Sequence, residues 1–463
     1  MLTAHRLRVG ALVLGLAVSA VLVALAQAGG DQLNLLARGW LLAARGELVP
    51  YGNPLSSGGN APGALSSVLV GWPLAAWADH RAPIVLIWVL HLGAWLVLDR
   101  TLRGALTPLE RAALAVVYWL NPWRVEAAGF LWNPNYLPLV GAVHLATARA
   151  LAARPRFAAT FVHVLALGLG AQLHPSVLLL GVLSALLWAR GYVRVSWPGF
   201  AAGCAATAAT LAPWLAAVAA RPELAAAGAG FPFRGLLLVQ PMLKGLSYWL
   251  RYPSLALHRE SARFDFSARL GPETDAWLAP ATGALLAVAG VATVAFALWA
   301  NFAFFRARRR SPLARPRPQE GERGWLDGYV TLALVAAVAT FAASPTTPQA
   351  WQMMPFLHVA VLPVVRGIGQ LGRRFGEARV VKGLAAAAAI VLAADLALAA
   401  GAPNFRCGGR HAVVIPLRAA SPMFEELGLQ RTCPWPLDVP GGWWPDVLPM
   451  ELAPGGGARE DSD

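Results

Sequence analysis

Long apolar blocks alternate with short polar turns along almost the whole chain. The first block covers residues 9–28 and follows a basic start that contains His5, Arg6 and Arg8. An apolar block of about 20 residues can cross a bilayer as a helix. The pattern therefore predicts an all-α polytopic membrane protein with about eleven transmembrane helices. The predicted spans cover residues 9–28, 82–98, 112–123, 136–151, 157–172, 176–189, 197–219, 277–304, 328–344, 351–365 and 383–400.

The basic residues fall in every second turn, on one side of this arrangement. They concentrate in residues 100–111, 149–156, 190–194, 306–317 and 366–382. Cytoplasmic loops carry the excess of Lys and Arg, so the N-terminus is expected inside and the C-terminus outside. The prediction is a transmembrane domain over residues 1–401 and an extracytoplasmic tail over residues 402–463. External loops are expected at residues 29–81, 121–135 and 221–276.

The apolar segment 62–78 is interpreted as an interfacial or re-entrant helix rather than a span. If it crossed the membrane, the basic loop with Arg100, Arg103 and Arg111 would face outward. With the segment kept on the outer side, that loop and all later basic loops face the cytoplasm.

Composition supports the membrane assignment and excludes a nucleic-acid partner. The 463 residues are 57% hydrophobic and only 13% charged, whereas soluble domains carry about 25% charged residues. The formal net charge of +14 does not indicate nucleic-acid binding, because the cations lie in the turns between membrane segments. Membrane lipid is the expected surrounding partner.

The first external loop carries the most informative residues. Asp31 directly follows the first apolar block. Residues 34–44 have the pattern of an amphipathic helix with Arg38 off its apolar face, and a turn-rich coil rich in Gly, Pro and Asn follows. A carboxylate at the mouth of a membrane helix usually marks function, although Asp31 could also cap the helix that follows it.

Other polar side chains cluster on the same predicted outer side, so an external site is the economical interpretation. The candidates are Arg38, Glu126, Asn133, Asn135, His174, Lys244 and Arg251, with Arg234, His258 and Arg259 in the same long loop. Structural alternatives stay open for several of them. Arg38 could anchor lipid headgroups, His174 could be an interfacial histidine without a ligand, and Glu126 could pair locally with Arg124.

The order of these features resembles the N-terminal half of GT-C membrane glycosyltransferases, a group that includes protein O-mannosyltransferases and bacterial aminoarabinose transferases. The residues that carry the resemblance are Asp31-Gln32, Val49-Pro50-Tyr51-Gly52, residues 131–150 and Leu173-His174-Pro175. The resemblance implies a multi-pass enzyme of the bacterial inner membrane. Such an enzyme moves a sugar from a polyprenyl-phosphate donor to an extracytoplasmic lipid, glycan or protein acceptor.

In this interpretation Asp31 is the general base, because the attacking hydroxyl must lose its proton. The leaving phosphate needs cationic or amide donors, and Arg38, His174, Lys244 and Arg251 are candidates. Many relatives carry a second acid where this chain has Asn133 and Asn135, so Glu126 is the available substitute. Because hard cations favour carboxylates, no metal or other cofactor is predicted, although a divalent ion is possible.

Two other functions compete with this one. A transporter or lipid flippase would place polar residues at mid-membrane, where the sequence offers mainly Asp395. A cell-envelope scaffold could use the tail, which is rich in Trp, Pro and Gly. Cys407 and Cys433 lie in that tail, and a disulfide between them is expected if the tail is extracytoplasmic; two free thiols are the alternative.

Overall fold

The structure is a computed structural model that describes residues 3–28, 31–55, 59–225, 239–259, 261–308, 321–344, 348–405, 423 and 426–427. Its described part is helical, apart from one two-stranded antiparallel hairpin formed by β1 (Tyr51–Pro54) and β2 (Asn60–Pro62). The all-α fold class is confirmed. Cys407, Cys433 and Arg234 lie outside the described residues.

Seven helical segments of the described chain are long and apolar enough to cross a membrane. They are α1 (Ala4–Leu25), α4 (Ala82–Leu102), α10 (Trp197–Ala220), α13 (Pro272–Ala307), α14 (Gly321–Ala342), the segment Ala350–Phe375, and α17 (Glu377–Gly401). The segment Ala350–Phe375 consists of a 3₁₀ stretch (Ala350–Phe356), α15 (Leu357–Ala360) and α16 (Leu362–Phe375). These helices identify a membrane protein, and each coincides with a predicted span.

The other four predicted spans correspond to shorter helices. They are α5 (Pro108–Leu114) with a π-helical turn (Ala115–Trp119), α7 (Leu137–Leu151), α8 (Phe157–Leu173), and a 3₁₀ turn (Pro175–Val177) that leads into α9 (Leu178–Ala189). They pack among the longer helices: α7 lies against α4 and α8, and α9 lies against α14. The count of eleven stays a prediction.

The first external loop folds as a small unit. Helix α2 (Asp31–Arg45) begins at Asp31, three residues earlier than the sequence pattern indicated, and packs on α3 (Leu65–Ala76), which falls in the segment interpreted as interfacial. The two helices approach closely at Gly39, where a Cβ would come within 2.4 Å of the Val70 side chain. Glycine at this position therefore permits the contact that holds α2 in place.

The second external loop is also helical. The predicted third span does not continue to residue 123, because Asn121 and Pro122 end it and start α6 (Pro122–Ala128). The Asn121 side chain accepts a hydrogen bond from the Trp123 amide at 2.9 Å, which is an N-cap. A 3₁₀ turn (Asn133–Tyr136) then leads into α7.

The long external loop and the chain end complete the outer side. The described parts of the loop form a 3₁₀ turn (Pro222–Ala225), α11 (Val239–Arg251) and α12 (Ser267–Leu270), and α17 is followed by a 3₁₀ turn (Pro403–Phe405).

The predicted inner side carries more than arginines. Glu110 is fully buried between Arg323 and Arg366, at 2.7 and 3.3 Å, and Arg366 also bonds Asp327 at 2.9 Å. The hydropathy pattern does not predict a role for these acids. They neutralise part of the basic loops and tie the ends of α5, α14 and α16 together.

Candidate functional site

A cavity of about 430 Å³ opens where the first and second external loops meet the residues that follow α17. This volume lies within the usual range of small-molecule sites. Its walls are contributed by α2, α6, the long external loop, the Ala350–Phe356 stretch and the turn after α17. The lining residues are Asp31, Gln32, Trp123, Glu126, Ala127, Phe130, Trp132, Asn135, His258, Ser261, Ala350, Trp351, Met354, Pro403 and Asn404.

Asp31 lines this cavity from the first turn of α2, with its side chain exposed. Its backbone carbonyl oxygen accepts a hydrogen bond from Asn53 Nδ2 at 3.2 Å. Asn53 Oδ1 in turn accepts from Arg38 Nη1 at 2.9 Å. The hairpin thus fixes the backbone of Asp31 at the cavity wall and leaves its side chain exposed.

Glu126 faces the same cavity from α6, but it is buried. Its Oε1 accepts a hydrogen bond from Asn404 Nδ2 at 3.1 Å, and Ser261 donates a second one. Burial raises the pKa of Glu126 to about 7, although the bonds from Ser261 and Asn404 oppose the shift. A carboxyl group with this pKa can accept or donate a proton near neutral pH.

Aromatic side chains form the rest of the wall. Trp132 meets Trp351 edge to face at a centroid distance of 4.8 Å and stacks on Phe130 at 5.9 Å. His258 lies 6.3 Å from the Trp351 ring. The cavity therefore combines two carboxyl groups with broad aromatic faces.

Arg251 supports the cavity from behind instead of lining it. Its guanidinium lies 5.5 Å from the Trp123 ring and 5.2 Å from the Tyr248 ring. It donates to the carbonyl oxygens of Ala256, at 3.0 Å, and of Leu257. These contacts hold the loop that carries His258 against Trp123.

Arg38 is fully buried within the first external loop and bonds the carbonyl oxygen of Asn34 at 3.0 Å as well as Asn53. It does not line the cavity, and its burial within the protein excludes the expected contact with lipid headgroups. Lys244, half-buried on α11, also lies outside the cavity wall.

His174 follows α8, where its Nδ1 accepts a hydrogen bond from the Ser176 amide at 3.2 Å. Desolvation lowers the pKa of His174 to about 4. The imidazole is therefore neutral at pH 7 and offers no positive charge to a phosphate. It is also absent from the cavity lining.

The two asparagines of the 3₁₀ turn before α7 differ in their position relative to the cavity. Asn135 lines the cavity, donates to the Phe130 carbonyl at 2.9 Å and accepts from His91 Nε2 through its own carbonyl at 2.7 Å. Asn133 is buried nearby without lining the cavity. Asn135 thus shapes the cavity floor through its backbone and side-chain bonds.

The expected local pair of Glu126 with Arg124 does not form. Arg124 donates from Nη2 to Ser19 at 3.1 Å, whereas Glu126 binds Asn404 and Ser261. The two side chains leave α6 in different directions, so a spacing of two residues on a helix does not make them partners.

Sequence reasoning missed several members of the site. Asn404 and Ser261 carried no motif, and Trp351 was interpreted only as the start of a span. The one available signal was that polar or aromatic residues follow directly on helix ends at the predicted outer side. No pattern in the sequence placed residue 404 beside residue 126.

Among the residues that the structure describes, no three His, Cys, Asp or Glu side chains come together as metal ligands. Asp31 and Glu126 are the carboxyl groups that line the cavity among the described residues, and metal-independent action stays a prediction.

Comparison of the chain with protein families, with curated proteins and with solved structures finds no match, so the geometry of this cavity carries the functional argument.

Proposed function

We propose that the protein is a membrane glycosyltransferase that moves a sugar from a polyprenyl-phosphate donor to an extracytoplasmic acceptor. The observation that carries the proposal is the meeting of Asp31 and Glu126, from two separate external loops, on one aromatic-walled cavity. The apolar helices of the membrane domain supply the lipid-facing surface that the donor requires.

In the proposed reaction Asp31 accepts the proton of the attacking acceptor hydroxyl. Glu126, with a pKa of about 7, holds or releases a proton on the other wall. The sugar ring packs its apolar faces on Trp132 and Trp351, which line the same cavity.

The leaving phosphate is expected at the rim of the cavity. None of the described lining residues is Lys or Arg. Arg259 is exposed and follows His258 directly in the long external loop. The phosphate would therefore lie on the side of the long external loop.

The test is sugar release and transfer from a panel of radiolabelled polyprenyl-phosphate sugars by the purified protein. We expect turnover with at least one donor and its loss in Asp31→Asn. Glu47→Gln is the matched control, because Glu47 is an exposed acid of the same loop outside the cavity. Failure of wild type to use any donor would count against the function, and full activity of Asp31→Asn would exclude Asp31 as the base.

A transporter or lipid flippase is the second candidate, and a polar network among the helices favours it. His144 bonds Tyr329 at 2.7 Å and Ser184 at 2.8 Å, and His163 bonds the same Ser184 hydroxyl at 2.9 Å. Ionisable groups inside a membrane often belong to substrate or proton pathways. Counterflow of a labelled solute in proteoliposomes, without chemical change, would favour this function.

A further inference from the structure

A basic and an acidic side chain are fully buried where α1, α6 and α17 meet. Arg124 comes from α6 and Asp395 from α17, and neither is accessible to solvent. Burial of an isolated charge is so unfavourable that such groups are normally paired. The surroundings of each group show which partner is available.

Arg124 uses only part of its donor capacity. Its Nη2 donates to Ser19 Oγ at 3.1 Å, and the guanidinium lies 4.1 Å from the centroid of Trp119. Its Nε and Nη1 have no hydrogen-bond partner among the described residues. A guanidinium has five N–H donors, so most of the Arg124 donors have no acceptor in the part of the chain that the structure describes.

The Asp395 carboxyl group lacks hydrogen-bond donors among the described residues. Both of its carboxyl oxygens are buried without a hydrogen-bond partner in the described part of the chain. Arg124 is the buried basic side chain on α6, the helix that packs against this part of α17. The two side chains make no direct hydrogen bond within the described ranges, so unused donors and unused acceptors are buried on adjoining helices.

The elements that carry this pair also carry the cavity wall. Trp123 and Glu126 flank Arg124 in α6, and both line the cavity. Helix α17 runs from Asp395 into the 3₁₀ turn that contains Asn404, the hydrogen-bond donor to Glu126. The Asn404–Glu126 hydrogen bond thus connects α6 with the turn after α17 at the cavity, and Arg124 and Asp395 lie on the same two helices.

We propose that Arg124 and Asp395 form one buried, water-bridged ion pair that positions the Glu126 wall of the cavity. The positioning role rests on the proposed transferase function, whereas the ion pair itself does not. Arg124 and Asp395 act through Glu126 and Asn404 and do not contact the substrate.

A double-mutant cycle tests the pair independently of any reaction. Arg124→Met and Asp395→Leu each leave one buried charge alone, so each is expected to lower the melting temperature of the purified protein strongly. The double variant removes both charges and should recover at least half of the summed loss. Additive losses in the double variant would overturn the ion pair.

Milder variants and a control keep the cycle informative if a single variant does not fold. Asp395→Asn and Arg124→Lys then replace the apolar changes, and Arg124→Lys should lose less because it retains the charge. The exposed pair Arg149–Glu322, with side chains 31% and 45% accessible, gives the matched control cycle. We expect no more than a small coupling there.

Transfer kinetics test the positioning role. If the pair sets the cavity wall, the double variant should stay at least tenfold below wild type in kcat although its melting temperature recovers. If both kcat and the melting temperature of the double variant recover fully, the pair stabilises the fold but does not position the cavity wall. If wild type turns over no donor, hydrogen exchange of residues 122–128 and 403–405 replaces kcat, and unchanged exchange in the double variant would overturn the positioning role.

Discussion

The Asn404 side chain donates a hydrogen bond to the Glu126 carboxyl group across 278 residues of sequence, at 3.1 Å. The bond joins α6 to the turn after α17 and places a buried acid on the cavity wall. Burial nevertheless raises the pKa of Glu126 to about 7. In an unfolded chain a Glu carboxyl titrates near 4.3, so folding and protonation of Glu126 are linked.

The first prediction is a pH dependence of stability that originates at Glu126. Between about pH 4.5 and pH 7 the folded state binds more protons than the unfolded state, so stability falls as pH rises through this window. Protonated Glu126 therefore contributes about 3–4 kcal/mol to the free energy of unfolding at low pH, and this contribution is lost above pH 7. We expect the Glu126→Gln variant to lose this slope.

Melting temperatures measured from pH 4.5 to pH 8 check this expectation. Glu273→Gln is the matched control, because Glu273 is an exposed acid in the first turn of α13. The slope should persist in that control. An unchanged slope in Glu126→Gln would show that another group titrates in this range.

The second prediction concerns Arg38, the buried cation that holds the first external loop. Arg38→Met removes its hydrogen bonds to Asn34 and Asn53 and leaves both acceptors buried. We expect a loss of roughly 2–4 kcal/mol in the free energy of unfolding, since hydrogen bonds to charged groups contribute about 1.5–3 kcal/mol each. Arg45→Met, at the exposed end of the same helix, should cost far less.

Denaturant or thermal unfolding gives the free energies for these two variants. Limited proteolysis of the hairpin region reports whether the loss is local. Equal losses of unfolding free energy in the Arg38 and Arg45 variants would contradict the role assigned to Arg38.

The third prediction compares two acids at the predicted inner side. Glu110 is fully buried between Arg323 and Arg366, whereas Glu322 pairs with Arg149 at the surface. Removing one partner of a buried ion pair costs about 3–5 kcal/mol, and removing an exposed partner costs about 0–1 kcal/mol. Glu110→Gln should therefore lower the melting temperature strongly and Glu322→Gln only slightly; a reversed order would contradict this assignment.

The sequence predicted the helical membrane fold because hydropathy reports directly which segments avoid water. All seven long helices coincide with predicted spans, and the helix that begins at Asp31 was expected from its amphipathic pattern. The predicted third span runs to residue 123, whereas a new helix begins at Pro122; the predicted start of the second external loop at residue 121 agrees with this break.

The candidate site was only partly predictable. Asp31, Glu126 and Asn135 were selected as polar residues of external loops, and they share the cavity. Arg38 and His174 were selected by the same logic but lie elsewhere, because residue type does not show which way a side chain points. The Glu126–Asn404 bond depends on tertiary contact between distant segments, and sequence alone contains no signal for it.

The fourth prediction tests the orientation in the membrane. In a variant with Cys204, Cys407 and Cys433 replaced by Ala, Arg259→Cys should react with a membrane-impermeant maleimide in intact cells. Arg154→Cys should react only after permeabilisation. Both positions are exposed in the structure, so labelling depends on sidedness, and the opposite pattern would invert the topology.

The fifth prediction concerns the aromatic wall. Trp351 contributes a ring that meets Trp132 edge to face at 4.8 Å and borders the cavity. If a substrate packs on this ring, Trp351→Ala should lose about 1 kcal/mol of binding free energy, which raises KM roughly fivefold. Trp351→Phe keeps an aromatic face and should lose less, and Trp188→Ala, whose ring is 55% exposed on α9 outside the cavity, should leave KM unchanged. Transfer kinetics of the three variants give these KM values. Equal KM values for Trp351→Ala and Trp188→Ala would mean that the substrate binds away from this wall. That result would not exclude Asp31 as the base.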